Sequence, residues 1–194
     1  MGQPKAMLPW GLTSLLAYVV TQLRLGGVGE SIVVAGADAL PVAETAMKAG
    51  AAVVVNDRWQ EGRASSLRAG AALVPDDADP IVVLNVDQPR PAAVIRALLE
   101  AYAAQPALIL VPMHEGRRGH PTLFAGRLLP ELRAVRDEDE GLRAVLARHA
   151  GEVREAQVDS PLIHVDLNTP EDHEAALRLF EQEASVGGGR SMES

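Results

Sequence analysis

The residues of this sequence best equipped for chemistry stand at the ends of apolar runs. Asp87 closes the run IVVLNV at 81–86, and Gln88 and Pro89 then turn the chain toward a helical stretch that begins near Pro91. A carboxylate delivered to the carboxyl end of a buried strand stands where ligands bind in open α/β sheets. A hard oxygen there can hold Mg²⁺, with waters and phosphate oxygens completing the octahedron. The spacing alone leaves open a second role for Asp87, as a cap for the helix that follows. Residues 164–169 (HVDLNT) offer two more oxygen ligands, Asp166 and Asn168, just before a well-marked final helix. Alternation along an extended segment turns both of these side chains one way and Leu167 the other, toward the core. If the two segments lie side by side, three oxygens converge on one cation; otherwise Asp166 and Asn168 are polar loop residues.

Other groups suit anions. Lys5, in residues 2–9 (GQPKAMLP), carries an ammonium that could meet a triphosphate or a pyrophosphate leaving group. Residues 56–70 (NDRWQEGRASSLRAG) place Ser65 and Ser66 near the start of a helix, where hydroxyls and free backbone N–H groups can meet an anion or a nucleobase edge. A plain Ser cap is the simpler role. Residues 116–121 (GRRGHP) bring two arginines and a histidine together, chemistry suited to a phosphorylated acceptor or to a surface turn. The GGVG at 26–29 follows a helix and precedes a strand, the reverse of a dinucleotide fingerprint, and reads as a helix end and turn.

The elements that must position these residues alternate. Near-continuous apolar runs at 31–35, 52–55, 81–86 and 107–111 read as strands covered on both faces. Helical periodicity lies between them at 14–25, 39–49, 65–73 and 91–103, an order that predicts a doubly wound α/β fold with a mostly parallel sheet. Beyond them the sequence predicts a strand at 122–124, helices at 127–134 and 138–150, and strands near 152–158 and 162–166. A last helix over 170–183 is capped by Thr169, with the acidic run 137–140 taken as a solvated helix start. With 194 residues the chain makes one domain, residues 1–184, followed by a flexible tail, 185–194. The formal charge of −8 argues against nucleic acid or anionic membrane as partners. The absence of Cys excludes disulfides, thiolate metal sites and a cysteine nucleophile. No signal-type segment opens the chain, which leads to the expectation of a cytoplasmic protein.

Taken in order, GQPKAMLPWG, EGRASSLRAG, VDQPRP, GRRGHPTLF, DEGLRAVLARH and VDLNTPED resemble the molybdenum-cofactor cytidylyltransferase-like branch of the MobA-like nucleotidyltransferases, from Gly2 to about Glu183. The resemblance implies a Rossmann-like, nucleotide-diphospho-sugar-transferase-like fold. It also implies transfer of a nucleoside monophosphate, CMP from CTP by first choice, to a phosphorylated acceptor such as molybdopterin, with release of pyrophosphate. By the same resemblance Lys5 holds the triphosphate, Asp87 binds Mg²⁺ with Asp166 and Asn168, Ser65 and Ser66 approach base and ribose, and Arg118, Gly119 and His120 lie toward the acceptor. A molybdoenzyme is the protein partner it implies. Two departures stand out. Val86 occupies a place where the family more often has Gly, and the family's opening L-A-A-G-x-S-x-R-M-G does not precede Pro4 and Lys5. The expectation is a sheet without its first strand and phosphate loop, leaving two central edges unpaired. Beside the enzyme stand an inactive or accessory cofactor-binding protein, and a nucleotidyltransferase acting on sugar phosphates or other small metabolites.

Overall fold

The computed structural model describes residues 4–138 and 140–189. A short hairpin, β1 (Pro9–Trp10) and β2 (Thr13–Ser14), leads into helix α1 (Leu15–Leu25), where the Ser14 side chain accepts the Ala17 N–H. Leu15, Leu16, Val19 and Val20 are buried, the spacing of one face of a 3.6-residue helix. Strands β3 (Ile32–Ala35) and β4 (Ala52–Val55) pair in parallel around α2 (Ala39–Lys48). They are followed by α3 (Arg63–Ala71), β5 (Ile81–Val83) and α4 (Ala92–Ala104).

The second half builds a five-stranded sheet around β6 (Ile109–His114). One side of β6 pairs with β7 (Arg117–Arg118) and β8 (Thr122–Phe124), both antiparallel, and β8 in turn pairs antiparallel with β5. The other side of β6 pairs in parallel with β9 (Val153–Gln157). Thus β5, β6 and β9 all run one way with β8 reversed between them. Ile109 to Met113 are buried without a break, which is why this run carries no alternation. Helices α5 (Leu129–Arg133) and α6 (Leu142–Arg148) pack on the main core, which includes Leu98, Ile109, Phe124, Leu132 and Val145. The last helix, α7, is Pro170–Gly189.

Three expectations are corrected. The run 81–86 is a strand only as far as Val83. Its partner β8 begins at Thr122, opposite Val83, and the residues before it (Pro121, which has no N–H, and Gly119, docked on Ile163) lead the chain away. Residues 162–166 are not a strand: Pro161–His164 form a 3₁₀ turn, because the Ser160 side chain accepts the Leu162 N–H and Pro161 suits the first turn. The acidic run precedes α6 rather than starting it, and Asp137 serves another helix, as described below. Helix α7 continues into the segment expected as a tail, whose residues 190–194 lie outside the described residues.

Among the described residues β3–β4 and the five-stranded sheet share no ladder, and β3 and β5 each keep one edge without a strand partner. What joins the halves is side-chain packing. Val33 of β3 and Val86 beyond β5 pack on the cluster that holds Leu16 and Val20 of α1. A third cluster gathers Trp10, Leu15, Val19, Leu167 and Ala176, so the hairpin, α1 and the start of α7 share one apolar patch. The Trp10 ring lies 5.1 Å from Phe180 and 5.5 Å from Tyr18 between centroids, and the His173 Nε2 sits 2.8 Å from the Pro9 carbonyl. No helix among the described residues is long and apolar enough to cross a membrane.

Candidate functional site

Three loops meet at the carboxyl end of β5. In the first, Gln88 closes the turn after the strand: its N–H donates to the Asn85 carbonyl at 3.0 Å, and its side-chain oxygen receives the Asn85 side chain at 3.3 Å. This leaves Asp87 projecting at the turn. Helix α4 begins beyond Pro91 without a side-chain cap, and the Ala92 N–H is taken by Gln22 at 2.8 Å. Asp87 is therefore not the cap of α4, which removes the structural alternative left open by its position.

The second loop is the segment before α7. The Leu167 N–H donates to the Asp87 carbonyl at 2.8 Å, which sets residues 165–168 directly beside the strand end. Leu167 is buried in the Trp10 cluster while Asp166 and Asn168 are exposed, the alternation expected of an extended segment. Thr169 and Asp172 close the helix start reciprocally. The Thr169 N–H donates to the Asp172 carboxylate at 2.9 Å, and the Asp172 N–H donates to the Thr169 hydroxyl at 3.1 Å. Those bonds, with Lys5 adding a smaller pull, hold the Asp172 carboxyl below its ordinary value.

The third loop is 116–121. At Gly119 a Cβ would stand 2.4 Å from the Ile163 carbonyl oxygen, so only glycine allows this approach. The His120 N–H donates to the same carbonyl at 3.0 Å. Burial lowers the His120 pKa from the ordinary 6.5, and the nearby Arg90 charge adds to this against the opposing pull of Asp166 and Asp87. Its ring is therefore neutral at pH 7. Arg118 points elsewhere: it pairs with Glu155 of β9 at 2.7 Å on the exposed side of the sheet.

Charge is arranged in pairs. The Lys5 ammonium, presented by a 3₁₀ turn at Lys5–Met7, lies 3.3 Å from the Asp87 carboxylate. Arg90 lies under the site with its side chain fully buried, and its guanidinium stands 3.7 Å from Asp166. Burial lowers its pKa to about 10, partly offset by Asp166 and Asp87, so it is a cation at neutral pH. Arg90 sits within the VDQPRP motif, yet the motif's pattern assigned it no role, since its place between two prolines is equally that of a solvated turn residue.

The serine loop is built differently from the expectation. Helix α3 starts after Gly62, so Ser65 lies inside it. The buried Ser65 hydroxyl stands 3.0 Å from the Arg58 carbonyl and 2.8 Å from the Gly62 carbonyl, and accepts Asn56 Nδ2 at 2.8 Å. Its capacity is taken up in holding the loop together. The half-buried Ser66 hydroxyl accepts the same Asn56 amide at 3.1 Å. The α3 N-terminus is already met by an anion from the chain itself. Both Asp137 carboxylate oxygens accept the Ala64 N–H, at 3.1 and 3.0 Å, across 73 residues of sequence. Gly62 allows this, with φ of +113° and no room for a Cβ beside Asp137.

Residues 1–153 match the MobA-like NTP transferase domain. The chain belongs to the MobA-like NTP transferase family. Rv0371c of Mycobacterium tuberculosis H37Rv is 30% identical, with a TM-score of 0.77 covering 92% of this chain and 90% of that one. Its manganese complex gives 28% and 0.71 over 91% and 93% of the two chains. Nicotine blue oxidoreductase of Paenarthrobacter nicotinovorans is 29% identical over 157 residues, 74% of this chain and 72% of that protein. The fold is also that of Mth528, a nucleotidyl transferase from Methanothermobacter, at 21% identity, a TM-score of 0.76, and 92% and 86% coverage. The α/β architecture is thus the nucleotide-diphospho-sugar transferase fold, and the MobA-like family places the chain among nucleotidyltransferases.

Proposed function

We propose that this protein transfers a cytidylyl group from CTP to a phosphorylated small-molecule acceptor, of which molybdopterin is the first candidate, releasing pyrophosphate. The observation that carries the reading is the Leu167 to Asp87 backbone bond of 2.8 Å, which seats Asp166 and Asn168 beside the Asp87 turn. The donor set fits a hard divalent cation: three partly or fully exposed oxygen-bearing side chains with no competing thiolate. Among the described residues no group of three or more His, Cys, Asp or Glu could hold a metal ion, so in this reading the ion would depend on Asn168, waters and substrate phosphates for the rest of its shell. Asp87, Asp166 and Asn168 would hold the ion, Mg²⁺ in our reading. When bound it would neutralise phosphate charge and draw electron density from the α-phosphorus.

The chain's own groups do the rest. An acceptor phosphate oxygen attacks the α-phosphorus in line, and the bond to the bridging oxygen breaks with its electron pair leaving on pyrophosphate. Lys5 steadies that leaving charge, turning from Asp87 to the phosphates. Neutral His120, on the loop docked against Ile163, orients the acceptor by hydrogen bonding. Ser66 reaches toward the nucleotide while Ser65 shapes its loop. Molybdenum cofactor maturation, delivery to a molybdoenzyme, and a cytoplasmic setting belong to this reading.

One observation favours a second reading, a cofactor-binding protein without turnover: the Ala64 N–H and the Ser65 hydroxyl are already satisfied within the chain. Pyrophosphate release measured with CTP, GTP and ATP, each against molybdopterin and sugar phosphates, separates the two. Release with CTP and molybdopterin, abolished by Asp87→Ala in a folded variant, is the expected result. Near-parental release by Asp87→Ala would defeat the site assignment, and acceptor binding without release in any pairing would favour the second reading.

A further inference from the structure

We propose that Arg90 is a positioning residue whose buried guanidinium locks the Asp87 turn, the His120 loop and residues 163–166 into one unit, and so fixes where the Asp166 carboxylate stands relative to Asp87. The proposal rests on the metal-site reading above and deepens it.

The bonds define the role. Arg90 Nε donates to the His120 carbonyl at 2.9 Å, and Nη1 donates to the carbonyls of Pro89 and Val165, both at 2.7 Å. Nη2 donates to the Ile163 carbonyl at 3.0 Å and faces the Asp166 carboxylate at 3.7 Å. Three segments far apart in sequence thus share one planar fork. The four carbonyls are neutral, so the compensating charge for this buried cation comes from Asp166, aided by Asp87. These are the two carboxylates assigned to the metal. With its side chain fully buried, Arg90 cannot touch nucleotide, acceptor or ion, and acts only through the groups it holds. Lysine cannot replace it, because a compact ammonium with three donors does not span four carbonyls arranged for a planar guanidinium.

Residues that orient metal ligands from behind cost tenfold to a hundredfold in metal affinity when changed. The test compares Mn²⁺ dissociation constants, read from the electron paramagnetic resonance of free Mn²⁺ with CTP present, for the parent chain, Arg90→Lys and Tyr102→Ala. Tyr102 is buried and bonded to Asp79, ahead of β5 at the end opposite Asp87, and serves as a control for lost stability alone. Arg90→Lys is expected to bind Mn²⁺ about tenfold more weakly, and Tyr102→Ala to bind as the parent does although it melts earlier. Combined with Asp166→Asn, Arg90→Lys should add nothing further, since it works through that carboxylate.

Unchanged affinity in folded Arg90→Lys, or an equal loss in Tyr102→Ala, would overturn the inference while leaving the metal reading intact. A parent chain that binds no Mn²⁺ would overturn both. If Arg90→Lys does not fold, nuclear magnetic resonance of the parent decides: the Arg90 Nε–H signal should shift on adding Mg²⁺ as Asp166 comes to share its charge, and an unmoved signal refutes the role.

Discussion

Asp137 offers the sharpest test of how the structure holds the serine loop. Both of its carboxylate oxygens accept the Ala64 N–H, so Asp137→Ala leaves the first turn of α3 without its cap. Loss of such a cap costs about 1 kcal/mol. The carboxylate also faces the positive end of the helix dipole, which adds about 0.3 to 0.5 kcal/mol at an exposed position. The total, about 1.4 kcal/mol, lowers the melting midpoint of a chain of this size by about 4 °C. Asp137→Asn keeps an acceptor and loses only the charge, so it should recover more than half of that difference. Differential scanning calorimetry of the three proteins in dilute buffer reads both effects. Since Gly62, Ser65 and Asn56 are tied to the same turn, the Michaelis constant for the nucleotide should rise in Asp137→Ala more than the turnover number falls. An Asp137→Ala midpoint within about 1 °C of the parent would refute the capping argument, because a cap worth so little lies below the range such caps cover.

Other outcomes follow from single contacts. Lys5→Met should raise Mn²⁺ affinity about threefold when no nucleotide is present, because a part-buried pair still screened by solvent is worth less than about 1 kcal/mol, and should weaken triphosphate binding; titration with and without CTP checks both. The Lys5 to Asp87 distance of 3.3 Å motivates it. Gly119→Ala forces a Cβ against the Ile163 carbonyl and should cost about 2 kcal/mol in urea unfolding. His149 titrates above its ordinary 6.5 because it bonds to Glu131 and then Glu152, so its contribution to stability is complete below that value and lost as pH rises through the folded midpoint. Glu131→Gln should bring its proton resonance titration back toward 6.5. His120 behaves oppositely: with a lowered pKa its contribution is complete above 6.5 and is lost as pH falls through the folded midpoint.

Much of this molecule is legible in its amino-acid order alone. The near-continuous apolar runs mark strands: β3, β4 and β9 lie at or within one residue of the expected spans, and β6 begins two and ends three residues later. Burial on both faces holds along β6 as far as Met113, whereas Ala52 and Val55 at the ends of β4 are exposed. The Thr169 cap and the outward pair Asp166 and Asn168 also follow from local spacing, since a helix start and an extended segment are short-range devices. What tertiary structure alone decided are the contacts made across long stretches of chain. Whether IVVLNV continues as a strand depended on where β8 begins, not on its own propensity. Asp137 reads locally as one of four acids in a solvated run, yet its role is set by a helix 73 residues earlier. Arg90 carries no local pattern that tells a solvated arginine from one buried beneath three loops. Only folding brings the carbonyls of Pro89, His120, Ile163 and Val165 to one point, where a planar five-donor cation satisfies groups that no neighbour in sequence could reach.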